Sequence, residues 1–153
     1  IPTHSDLQDL PLLDAVVRDS LRLYPPQYVL FREPTTRVSL GGHRIPEGTT
    51  GLLPPWTCHR DGSNWAYPAR FRPRRWLETG DRADGRDGPS FAYFPYGGGP
   101  RHCLGIRLAN RILRLVVAVV CMRRRFETVG AVSVAAGPTL SLDGGVELHT
   151  RRR

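Results

Sequence analysis

Cysteine is scarce in this chain, and what little there is does not pair. Cys58, Cys103 and Cys121 are odd in number and form no C-x-x-C, which argues against a disulfide framework and fits a reducing, cytoplasmic setting. The neighbours Cys58-His59 and His102-Cys103 lack the spacing of a structural zinc site. Long apolar runs are missing as well. The longest, Leu115 to Met122, is too short to span a bilayer, so no membrane segment is read. The opening residues include Pro2, His4, Asp6, Asp9 and Asp14 and do not read as a signal peptide. Lysine is absent: all 22 basic residues are arginine, against 14 acidic ones, for a net charge of +8. An arginine-only excess reflects codon composition as much as function. It permits nucleic acid or an acidic protein as partner. No aromatic-basic stacking pattern or helix-turn-helix signature accompanies the charge, so nucleic acid is set aside.

What remains is a chain of 153 residues, 40% hydrophobic, long enough for one domain with a core. Leu10, Leu13, Val16, Val17, Leu21 and Tyr24 recur near the helical period and predict a helix over 7–23, capped by Ser5 or Asp6 and stopped by Pro25-Pro26. Short strands are predicted over 28–31, 37–40, 43–45 and 49–53, with Gly41-Gly42 as a hairpin turn. A stretch rich in Pro, Gly, Asp and Arg runs from Pro54 to Pro100 and reads as loop, mobile near Asp84 and functional near Gly97. A second helix is predicted over 104–126. Strands follow over 131–135 and 139–142, and Asp143-Gly-Gly145 reads as a hairpin turn that pairs 146–149 back on the latter. There is no internal repeat.

The densest chemistry lies in Phe94-Pro-Tyr-Gly-Gly-Gly-Pro-Arg-His-Cys103-Leu-Gly105. Its glycines remove side-chain bulk and let the backbone approach a flat partner. The cysteine falls at the predicted start of a helix, near the positive end of its dipole and beside unpaired N–H groups. Those surroundings, with Arg101 two residues away, favour the thiolate, the form that binds a metal.

This segment resembles the haem-binding loop of the cytochrome P450 family, F-x-x-G-x-R-x-C-x-G. Gly99, Arg101, Cys103 and Gly105 fall on its fixed positions, and Tyr96 stands where the family usually has phenylalanine. The resemblance implies that Cys103 is the axial thiolate ligand of the iron of haem b, and such a ligand favours O–O cleavage. It also implies a mainly α protein with small β-sheets (α+β), the C-terminal portion of the P450 fold. Asp19-Ser-Leu-Arg22 before Leu-Tyr-Pro-Pro26 resembles the family's E-x-x-R helix, and Pro73-Arg-Arg75-Trp76 its loop arginine, so Asp19, Arg22 and Arg75 are expected to form one network. On its own, Asp19 with Arg22 also reads as a surface i,i+3 ion pair. Aspartate is one methylene shorter than the family's glutamate. A bidentate contact is therefore expected to fall short, leaving a buried arginine partly unpaired.

By the same resemblance Arg32 and Arg101 bind the haem propionates, a role that guanidinium forks suit; an exposed strand-end residue is the lesser reading of Arg32. His59 is read as structural in preference to a propionate contact. Tyr28, Val29, Leu30 and Phe31, with the turn 137–140, fall where the family lines its substrate pocket, and their apolar or neutral character suits a lipophilic small molecule. Plain strand core is the other reading of those side chains. Arg107, Arg111 and Arg114, with Arg123, Arg124 and Arg125, are read as a solvated helix face or as the proximal surface that receives a ferredoxin- or flavodoxin-type protein or a reductase.

The family's distal helix, with its acid/alcohol pair for O₂ activation, lies upstream of the Asp19 segment, and nothing here corresponds to it. Residues 1–153 are therefore read as the C-terminal part of a single P450 domain, with no catalytic residue assigned. The isolated chain is expected to bind haem weakly or not at all. The activity expected of the parent is hydroxylation by a haem-thiolate monooxygenase using O₂ and electrons from a redox partner. The other expectations are a peroxide-using or isomerising haem-thiolate enzyme and a non-catalytic remnant.

Overall fold

The computed structural model describes residues 2–3, 5–7, 9–77 and 91–153. The polar stretch around Asp84 lies outside the described residues. Helix α1 runs from Pro11 to Leu23. It starts four residues later than the period of its leucines suggests. Proline lacks an N–H and has a fixed φ that suits the first helical position. Asp6, read as a cap, instead accepts the Thr3 backbone N–H at 2.7 Å in a separate turn. Four short strands follow: β1 (Leu30–Arg32), β2 (Val38–Leu40), β3 (His43–Ile45) and β4 (Gly51–Leu53). β2 and β3 form the hairpin set by Gly41 and Gly42, whose φ of 57° and 82° are left-handed values that glycine adopts freely. β1 and β4 close around it in antiparallel register, Leu30 opposite Leu53 and Arg32 opposite Gly51.

Among its described residues, the stretch read as loop contains a single helical turn, α2 (Pro55–Cys58), and two 3₁₀ turns, Pro73–Trp76 and Gly99–Arg101. Each has a proline at one of its first two positions, a signal easily taken for loop alone. Helix α3 spans Ile106–Arg123, and the chain passes directly into β5 (Arg124–Val129), then β6 (Ser133–Ala136), β7 (Leu140–Asp143) and β8 (Glu147–Arg152). Two expectations fail here. The second helix stops at Arg123 rather than residue 126, because 124–129 pair in full register with 147–152. β8 therefore returns to β5, while β7 pairs with β6.

The buried core lies between α1, the 73–76 turn and the segments around Trp65 and Phe94, with Ala15, Val17, Leu21, Leu23, Trp65 and Phe94 inside it. Trp65, Trp76 and Tyr93 pack ring against ring at centroid distances of 4.9–6.3 Å. α3 touches α1 along one side only, where Ala118 is buried and Asp14 pairs with Arg114. Leu108, Ile112, Val116 and Met122 stay exposed on it. Among the described residues no helix is long and apolar enough to cross a membrane.

Candidate functional site

Two constructions meet in this core: a buried charge network and, resting on it, the cysteine loop. Asp19 and Arg22 are both fully buried on α1. Arg22 donates from Nε to Asp19 Oδ1 at 2.8 Å, and its terminal nitrogens donate to the carbonyls of His59 (2.9 Å), Pro68 (2.6 Å) and Arg70 (2.9 Å). Arg75 brings its Nε to 3.2 Å from the same carboxylate oxygen and donates to the carbonyls of Ala66, Tyr67 and Arg70. Trp76 Nε1 (3.2 Å) and the Arg72 backbone N–H (2.5 Å) complete the shell of Asp19.

The bidentate contact falls short, as expected of the shorter acid: Arg22 Nε hydrogen-bonds to Asp19, while Arg75 Nε reaches the same oxygen at 3.2 Å without hydrogen-bond geometry. Each arginine meets Asp19 through Nε rather than through a fork, and the forks turn to backbone carbonyls. The arginines thus tie three stretches of otherwise irregular chain, 59, 66–70 and 72–76, to one helix. His59 is buried, and a carbonyl away from water needs a donor; the planar guanidinium supplies five in fixed directions.

His59 passes this order on to the cysteine loop. Its ring is fully buried, and Nε2 accepts the Phe94 backbone N–H at 2.8 Å. That bond requires the neutral ring with its proton on Nδ1. Burial holds the His59 pKa down at about 4, and the charges of Arg22 and Arg60 push the same way.

From Phe94 the chain turns back on itself. Gly97 N–H donates to Phe94 O at 3.0 Å and His102 N–H to Gly99 O at 3.1 Å. Cys103 N–H donates to Tyr96 O at 2.9 Å, which closes the loop. Gly97 and Gly99 have φ of 74° and 68°, so side chains there would strain the turn. Cys103 itself precedes α3 by a short turn, with Ile106 N–H reaching its carbonyl at 3.4 Å and Gly105 at the cap position.

The thiol of Cys103 is free and exposed. Beside it Leu104 is 95% exposed, and Phe31 and Phe91 are each more than half exposed. Leu30 approaches the loop, with its Cδ1 3.6 Å from where a Cβ on Gly97 would stand. The His102 ring turns away to the carbonyl of Gly99, at 3.1 Å. Tyr96 lies behind the loop. Burial raises its phenol pKa, the neighbouring Cys103 adds to that, and Arg114 opposes it. Its hydroxyl donates to Asn110 Oδ1 on α3 at 2.9 Å.

The residues singled out in the sequence fall as follows. Gly99, Arg101, Cys103 and Gly105 lie on the one loop, with Arg101 exposed. Arg32 is exposed and donates to the adjacent Phe31 carbonyl at 2.7 Å. Val29 accepts from the Gln27 side chain, and the Tyr28 hydroxyl donates to Gly137 O at 2.9 Å. With Leu140 N–H bonded to Pro26 O at 2.8 Å, the 26–28 segment and the 137–140 turn are one unit. The arginine stripe divides. Arg114 is half-buried and paired with Asp14, and Arg124 and Arg125 belong to β5. The latter lie beyond the far end of an 18-residue helix, about 27 Å from the loop at 1.5 Å per residue. Of the stripe, Arg107 and Arg111 are the members exposed on the cysteine side of the helix, next to the exposed Arg101 of the loop. Sequence reading missed the His59–Phe94 tie, the Tyr96–Asn110 bond and the place of Trp76 on Asp19. The signal for the second was present in the tyrosine at a phenylalanine position.

Haem fits these residues on chemical grounds. A soft thiol stands exposed at a small-residue turn, flanked by exposed apolar side chains and by arginines. Among the described residues no three of His, Cys, Asp and Glu come together to hold a metal. A metal taken up through Cys103 would have to bring its other ligands with it, as a porphyrin does.

The exposed cysteine on its glycine turn and the buried acid–arginine network that braces it lie in one small α+β unit. The sequence model of the family described as Cytochrome P450 matches residues 1–135, and the chain belongs to that family. It is 36% identical over 128 residues to cytochrome P450 93B2 of Gerbera hybrida, covering 82% of this chain and 25% of that protein. It is 37% identical over 124 residues to thromboxane-A synthase of Mus musculus, covering 81% and 22%. The structure of a zebra fish cytochrome P450 with abiraterone superposes with a TM-score of 0.82 at 32% identity, over 99% of this chain and 36% of that one. The chain thus spans about a quarter of the length of these curated relatives.

Proposed function

We propose that Cys103 is the proximal thiolate ligand of haem b, and that residues 1–153 form the proximal part of a haem-thiolate monooxygenase acting on a lipophilic small molecule. The observation that carries this reading is the exposed sulfur on a loop whose two ends are fixed, Phe94 by His59 and Cys103 by Tyr96. When bound, haem supplies the activation of O₂ and the transfer of one oxygen atom. The chain's own residues do the rest. Cys103 would hold the iron through its thiolate. Gly99 and Gly105 keep the backbone low so that the ring can approach. Arg101 and Arg32 are the donors for its two carboxylates. Leu30 and Phe31, with Tyr28 and Val29 behind them, offer an apolar edge to substrate.

Arg107 and Arg111, exposed at the start of α3, suit an acidic ferredoxin- or flavodoxin-type protein or a reductase as electron donor. A cytoplasmic location belongs to the same proposal and suits three free thiols.

A competition checks the ligand in a hybrid that supplies the rest of the haem pocket, residues 1–153 replacing the matching part of the zebra fish cytochrome P450. Loading the hybrid with ferric haem is expected to slow alkylation of Cys103 at least severalfold and to leave Cys121, also exposed and free, at its original rate. The two cysteines are followed on separate peptides by mass spectrometry. Equal slowing of both, or of neither, would count against the proposal.

A further inference from the structure

The phenol of Tyr96 does something that phenylalanine at the same position cannot. It spans the gap between the cysteine loop and α3, donating to Asn110 Oδ1 at 2.9 Å. The backbone of the same residue accepts the Cys103 N–H at 2.9 Å. Tyr96 is therefore held at its hydroxyl by the helix and holds at its carbonyl the residue that carries the sulfur. The bond matters because the space around it is not filled. A cavity of about 260 Å³, bounded by Tyr93, Tyr96, Asn110 and Arg114, lies beside it. An aromatic ring without an anchor in such a space has room to change rotamer, and its backbone with it.

We propose that Tyr96 and Asn110 form a positioning pair that fixes the Cys103 backbone, and hence the sulfur, relative to α3. The functional weight of this pair rests on the reading of Cys103 as the haem ligand; its existence does not.

The test uses the haem-free chain and the hydrogen exchange of the Cys103 amide, which reports the bond to Tyr96 directly. Tyr96→Phe and Asn110→Leu are each expected to speed that exchange about fivefold, the effect of losing one ordinary hydrogen bond. The double variant is expected to be no faster than either, because both remove the same bond. Asn110→Asp, which keeps an acceptor in place, is expected to restore the original rate. The Tyr24 amide, bonded to Ser20 O at the end of α1, is expected not to change in any of them. The proposal is overturned if Cys103 exchange is unchanged in Tyr96→Phe, if all amides speed up together, or if Asn110→Asp behaves like Asn110→Leu. Failure of haem to protect Cys103 would overturn the ligand assignment and leave this result standing. Unchanged exchange would do the reverse.

Discussion

Replacing Arg22 with methionine is expected to abolish the cooperative unfolding transition of this chain. The substitution removes a single fully buried guanidinium and leaves the Asp19 carboxylate short of its main counter-charge. It also strips the donor from the carbonyls of His59 and Pro68 and leaves that of Arg70 to Arg75 alone. Removing one partner of a buried pair costs about 3–5 kcal/mol, and the orphaned carbonyl of buried His59 adds roughly 1–3 kcal/mol. Whole domains are stable by only about 5–15 kcal/mol. Arg22→Lys is expected to fare little better, because an ammonium cannot reach acceptors arranged for a planar fork. Urea titration followed by far-ultraviolet circular dichroism distinguishes the outcomes. A variant that unfolds cooperatively within about 1 kcal/mol of the parent, the worth of a surface ion pair, would show that Arg22 is not the organising residue described.

The second large effect is a dependence on pH set by His59. In the folded chain the ring stays neutral down to about pH 4, against an ordinary value of 6.5. Between these values the unfolded chain binds the extra proton and the folded chain does not. Stability therefore rises with pH through this window and is lost as pH falls from 6.5 towards 4. The difference amounts to about 3 kcal/mol from this one ring. His59→Gln keeps an acceptor for the Phe94 N–H but cannot titrate, so it is expected to flatten the slope between pH 6.5 and 4. Parallel slopes in the two proteins would assign the pH dependence elsewhere.

The parts legible in the sequence are those set by short-range rules. The leucine period of α1, the glycine pair of the β2–β3 hairpin and the run that becomes α3 each need only neighbours a few residues away. The cysteine loop is legible because its glycines, arginine and cysteine sit at fixed spacings. The pairing of β8 is not. Gly144 and Gly145, with φ of 74° and 84°, announce that the chain reverses, but a turn does not name the strand that receives it. That choice is made by β5, some twenty residues away in sequence.

Where the arginine forks turn instead was hidden for a related reason. Counting methylenes gives the lost bidentate contact and nothing of what replaces it. Here they approach the short acid by Nε and give their forks to carbonyls at 59 and 66–70, partners that only the tertiary fold supplies. Arg114 illustrates the converse. It falls on the arginine stripe by spacing, yet Asp14, 100 residues earlier, draws it inward.

The central claim is that Cys103 ligates haem iron, and a spectrum tests it most directly. Residues 1–153 would replace the matching part of the zebra fish cytochrome P450, with which they superpose at a TM-score of 0.82, and the hybrid would be reduced under carbon monoxide. The account predicts the red-shifted Soret band of thiolate-ligated haem in the hybrid and its loss in the hybrid carrying Cys103→Ser. A haem-loaded hybrid without that band, or a serine variant that keeps it, would contradict the account.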